Sequence, residues 1–75
     1  MRSQAPIELE TADEIIDVLG GTSVVATFCR VKPASVSDWR RNNAISPRFY
    51  LVMAAKLAER GCTASPVLWK IKVAA

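Results

Sequence analysis

GGTSVVATFCRVKPASVSDWRR, residues Gly20 to Arg41, places its apolar and small side chains where two short helices joined by a turn need them. Val25 and Cys29 lie one turn apart and share the inner face of a first helix, with Ala26 small enough to allow close approach of a second. Val31 follows as an apolar plug in the turn. Val36 and Trp39, three residues apart, mark the inward face of the second helix, so Trp39 is expected in the core. Gly21, Thr22 and Ser23 supply candidates for the first N-terminus. Pro33 suits the first turn of the second helix and drives Lys32 into an extended conformation, leaving that helix without a side-chain cap.

Gly20, Ala26, Val31 and the run Val36-Ser37-Asp38-Trp39 resemble the helix-turn-helix of the small Cro and repressor proteins of temperate bacteriophages, the last four matching the recognition helix of all-helical Cro proteins. The resemblance covers residues 11 to 60. It implies an all-α, lambda-repressor-like domain in which the second helix of the motif enters the major groove of double-stranded DNA. One position departs from the family. Arg30 stands where a glycine is usual, and a left-handed backbone there costs an arginine on the order of 1 kcal/mol. Either the turn has another shape or packing offsets the strain.

Working outward, Thr11 with Glu14 three residues on forms a capping box that opens a helix through Ile15, Ile16, Val18 and Leu19, ending at Gly20. Asn42, Asn43 and Ala44 form a loop, and Ser46-Pro47 begins a fourth helix that stops before Gly61. Ser65-Pro66 opens a short fifth helix, although Trp69, Ile71 and Val73 alternate with lysines as a half-buried strand would. The expected organisation is therefore an N-terminal arm (1–10), a helix-turn-helix domain (11–60, with the motif at 21–41), and a short C-terminal helix and tail (61–75). About five short helices result.

Helix geometry, at about 100° per residue, sets the base-reading candidates opposite Val36 and Trp39. These are Ala34, Ser37, Asp38 and Arg41, with Lys32 at the mouth of the helix. Arg41 can pair bidentately with guanine, Asp38 can accept from cytosine N4, Ser37 is permissive, and Ala34 can touch a thymine methyl. Asp38 can equally pair with Arg41 on the same helix face. Arg40, nearer the buried side, is assigned to the phosphate backbone by snorkelling. The resemblance implies further phosphate contacts from Thr22, Ser23, Asn43 and Arg48.

Charge is unevenly placed. Residues 1–20 carry one basic and five acidic side chains, a net of −4, whereas residues 21–75 carry nine basic and two acidic, a net of +7. The acidic part is expected to face away from DNA. In the fourth helix Tyr50, Met53, Ala54 and Leu57 form a core stripe that Phe49 and Val52 widen. Phe49 and Val52, with Trp69 of the C-terminal segment, are candidates for a homodimer interface, as twofold binding to a palindromic operator would require, although Phe49 and Val52 can equally serve only to cover the first helix.

The chain has no histidine, no glycine-rich phosphate loop and no nucleophile paired with a base, so neither catalysis, a metal nor a cofactor is expected. Cys29 reads as a core residue and Cys62 as a partly exposed thiol. The longest uncharged apolar run, Phe49 to Ala55, is too short to span a bilayer, and the acidic N-terminus does not resemble a signal peptide, which makes a cytoplasmic protein the expectation. The leading function is a repressor of phage, prophage or mobile-element genes that occludes a promoter, since the chain has little room for a separate effector domain. Two other readings compete: a protein-interaction module such as an antirepressor or antitoxin, using the fourth helix, and an architectural or excision-type DNA-binding protein.

Overall fold

The computed structural model describes residues 6–71. In chain order these form strand β1 (Ile7–Leu9), helices α1 (Ala12–Val18), α2 (Thr22–Cys29) and α3 (Pro33–Asn42), and a 3-10 turn (Pro47–Phe49) that runs directly into α4 (Tyr50–Glu59). Strand β2 (Cys62–Ala64) and a second 3-10 turn (Pro66–Trp69) follow. The architecture is mostly helical. It is not purely α, because β1 and β2 pair in parallel with Ile7 opposite Cys62 and Leu9 opposite Ala64.

Residues 7–9, expected in a free arm, are thereby anchored, and the Ile7 amide adds a bond to the Gly61 carbonyl at 2.9 Å. Strands of three residues are too short to display an alternating pattern, and these two lie 55 positions apart in sequence. Only the return of the chain through α4, against which β2 packs, brings them together. The fifth helix is a single 3-10 turn, capped by Ser65, whose hydroxyl accepts from the Val67 amide. Residues 72–75, including the lysine and valine of the alternative strand pattern, lie outside the described residues.

The local signals at α1 act as read. Thr11 Oγ1 accepts from the Glu14 amide at 3.1 Å while Glu14 Oε1 accepts from the amides of Thr11 and Glu10. The helix ends on two glycines of positive φ, Gly20 at 117° and Gly21 at 99°. At Gly20 the requirement is also steric: an added Cβ would meet Val24 Cγ1 at 3.0 Å.

The same kind of ending closes α2 and α3 without glycine. Arg30 adopts φ 60°, ψ 44°, its amide bonds the Thr27 carbonyl, and the Val31 amide reaches back to Ala26 at 3.0 Å. That pairing is a Schellman closure, and Val31 packs against the core beside it. The turn thus keeps the shape a glycine would take, and its hydrogen bonds and the burial of Val31 offset the strain at Arg30. Arg30→Gly is expected to stabilise the fold by about 0.5 to 1 kcal/mol, raising Tm by several degrees. A lower Tm for this variant in a thermal melt would mean that the Arg30 side chain itself supports the turn.

Every element feeds one core. Ile15, Ile16, Val25, Val36, Ile45, Met53, Leu57 and Trp69 are fully buried, each aliphatic among them contributing about 1.5 to 3 kcal/mol by removal from water. Val25, Ala26 and Cys29 are the buried residues of α2, as their spacing requires. Trp39 is only half-buried, tilted against Phe49 with 5.5 Å between ring centroids. The indole at the centre is Trp69. Its Nε1 faces Met53 Sδ at 3.4 Å and its ring meets Tyr50 edge-on. Among the described residues no helix is long and apolar enough to cross a membrane.

Candidate nucleic-acid interface

α3 begins at Pro33 after an extended Lys32 that makes no side-chain cap. With Val36 wholly buried, the opposite side of this helix is solvent-facing: Ala34, Ser37, Asp38 and Arg41 are all exposed, as is Lys32. Ala34, Ser37, Asp38 and Arg41 therefore share one open face of α3, with Lys32 exposed just before it. Arg41 Nη1 donates to Asp38 Oδ1 at 2.8 Å, with the two side chains 72% and 56% exposed. Both ends of that pair remain accessible.

Arg40 does not lie free for a phosphate. Its Nε donates to Thr22 Oγ1 at 3.0 Å, Nη2 to Asp17 Oδ1 at 2.8 Å, and Nη1 to Asp13 Oδ1, so one guanidinium joins α3 to both α1 and α2. The bond to Asp17 first, and that to Asp13 second, push the Arg40 pKa above its ordinary value. Asp13 and Asp17 are one helical turn apart, an arrangement that repels unless a cation bridges it. That spacing was the sequence signal for Arg40's role. The two carboxylates reach Arg40 on the flank of α3 while remaining largely exposed.

Asn43 is likewise committed to the fold. It ends α3 in the left-handed conformation, φ 52°, and its Oδ1 accepts from the Ala12 amide at 2.8 Å, satisfying an orphan donor at the start of α1. The side chain expected to meet phosphate therefore caps a neighbouring helix. Thr22 is half-buried and lends its hydroxyl oxygen to Arg40, whereas Ser23 beside it is exposed. Gly21, with no side chain to offer, takes the N-cap position of α2.

Arg48 is exposed, its guanidinium carbon 5.2 Å from the Phe49 ring centroid. Because Phe49 rests on Trp39, that cation is held beside α3. Arg30, treated in the sequence only as a turn residue, is exposed at the junction of α2 and α3 and adds a further positive charge. Arg30, Lys32, Arg41 and Arg48 together give segment 30–48 its cationic surface.

The apolar candidates for self-association sort differently from expectation. Trp69 is completely buried and so is not a free interface residue, while Phe49 is half-buried against the core. Val52 is 43% exposed, and Leu51, missed because it falls outside the core stripe, is 80% exposed. Cys62, expected partly exposed, is a buried residue of β2, and Cys29 is buried as expected, with desolvation pushing its thiol pKa up. No protein-family model, curated protein or solved structure matches the chain.

Proposed function

We propose that this protein is a sequence-specific DNA-binding transcriptional regulator, with α2 and α3 acting as a helix-turn-helix like that of phage Cro proteins. The observation that carries the reading is the face of α3: Val36 anchors one side while Ala34, Ser37, Asp38 and Arg41 stand exposed on the other. Base edges in a major groove call for such a short row of donors, acceptors and small groups on a rigid helix.

Arg40 supports the same reading from behind. By tying α3 to α1 and α2 it fixes the presentation angle of the recognition helix, which a base-reading surface needs. Ser23, Arg30, Lys32 and Arg48 contribute phosphate contacts that set register without conveying sequence. Two copies bind the halves of a palindromic site about one helical turn apart and meet through the exposed Leu51 and Val52 of α4. Regulation is repression by covering a promoter, and the resemblance to phage Cro proteins points to phage, prophage or mobile-element genes as the targets.

The test is selection of bound duplexes from a random pool, followed by titration of the best and of a scrambled duplex across a salt series. A palindromic consensus, and a log-log slope of about −0.9 per phosphate neutralised, are expected. Absence of binding to any duplex at low ionic strength would overturn the proposal and favour a protein-interaction role for α4. Binding with shallow preference and strong bending would favour an architectural role.

A further inference from the structure

We propose that Asp38 and Arg41 read DNA as one unit, Asp38 being the specificity-determining residue that rejects sites lacking an exocyclic amine next to the guanine held by Arg41. The inference rests on the DNA-binding reading of α3 and deepens it.

Its basis is the geometry of the pair. Both side chains stand in the exposed row of α3, and their 2.8 Å bond uses Nη1 of Arg41 and Oδ1 of Asp38. A guanidinium has five N–H donors in a planar fork, so an edge stays available for guanine O6 and N7 while the bond to Asp38 persists. Asp38 Oδ2 has no partner among the described residues and is a free acceptor on the same face. The fold does not require the pair, since ion pairs this exposed contribute little to stability.

What the carboxylate does instead is electrostatic. Arg41 alone would bind any phosphate or any guanine in reach. With Asp38 attached, a phosphate approaching Arg41 also meets a negative charge, which weakens attachment to arbitrary duplex. That repulsion is offset where the adjoining base pair turns its amine-bearing base, cytosine N4 or adenine N6, rather than its thymine or guanine, toward Oδ2. The recognised class of site is therefore guanine with cytosine or adenine at the adjoining position facing Oδ2, and thymine O4 or guanine O6 at that position is disfavoured.

The experiment compares the full-length wild type with Asp38→Ala and Asp38→Asn, each by selection from a random duplex pool and by fluorescence anisotropy on the selected and scrambled duplexes. Asp38→Ala is expected to bind scrambled duplex about tenfold more tightly, to keep the guanine, and to lose preference at the amine-bearing position. Asp38→Asn, whose amide complements adenine N6 and N7, is expected to shift that position toward adenine. Circular dichroism melts superimposable on wild type would confirm that the exposed substitutions leave the fold intact. If Asp38→Ala selects the same bases with an unchanged ratio of selected to scrambled affinity, the paired reading is overturned while DNA binding stands. If the wild type binds no duplex at low salt, the DNA-binding reading fails and the pair falls with it.

Discussion

Replacing Trp69 with alanine is expected to cost about 3 to 5 kcal/mol of folding stability, the range for truncating a buried aromatic. Its ring has no solvent exposure and its N–H is directed at Met53, while Tyr50 closes on its face edge-on. The neighbouring Leu68 carbonyl also receives the Ile45 amide at 2.7 Å, so the 3-10 turn that carries Trp69 is tied to the segment leaving α3. A cavity there loosens the packing of α4 and the loop after α3 together. A domain of this length has about 4 to 11 kcal/mol of stability in all, so the variant should be largely unfolded at 37 °C or melt tens of degrees lower. Trp39→Ala should cost less, because Trp39 is only half-buried against Phe49. Urea denaturation followed by far-ultraviolet circular dichroism checks the order, and a larger loss at Trp39 than at Trp69 would contradict the packing described.

Arg41→Ala is expected to weaken binding to the selected operator by about 1 to 3 kcal/mol, roughly 5- to 150-fold, and to relax the preference at one base position. The side chain is 72% exposed and its bond to Asp38 stays on the surface, so the melting curve should hardly move. Affinity loss without stability loss would separate this residue from Arg40, whose guanidinium is bound to α1 and α2. The decisive readout is the pattern over sequences. A loss equal on all duplexes would make Arg41 a phosphate contact, whereas a loss confined to sites with the guanine would make it a base reader.

Much of the architecture is legible along the chain because it is decided within a few residues. The capping box at Thr11 and Glu14, the stop at Gly20-Gly21, proline at the start of α3 and the stripe of Met53 and Leu57 each act over one or two helical turns. Reading the burial of Val36 places the exposed row of α3 on the correct side. At Arg30 the spacing showed a conflict between residue type and turn shape, and left both resolutions open. The Schellman bonds and the packing of Val31 resolve it in favour of the left-handed turn.

Three of the misplaced residues share a physical cause. Arg40, Asn43 and Trp69 are polar or amphipathic side chains long enough to reach another element, and what they meet depends on partners remote in sequence. Arg40 finds Asp13 and Asp17, Asn43 finds the Ala12 amide, and Trp69 finds Met53. A helical wheel locates a side chain's base and says nothing of its destination.

The sequence by itself determined four helices, the capping box of α1 and the hydrophilic face of α3, because backbone hydrogen bonding and periodic burial are local and repeat every few residues. Only the tertiary structure decided which cations remain free for a partner, which indole fills the core, and that the two ends of the described chain close as a parallel strand pair. Those outcomes depend on distances between segments up to 55 positions apart, and no local pattern encodes them.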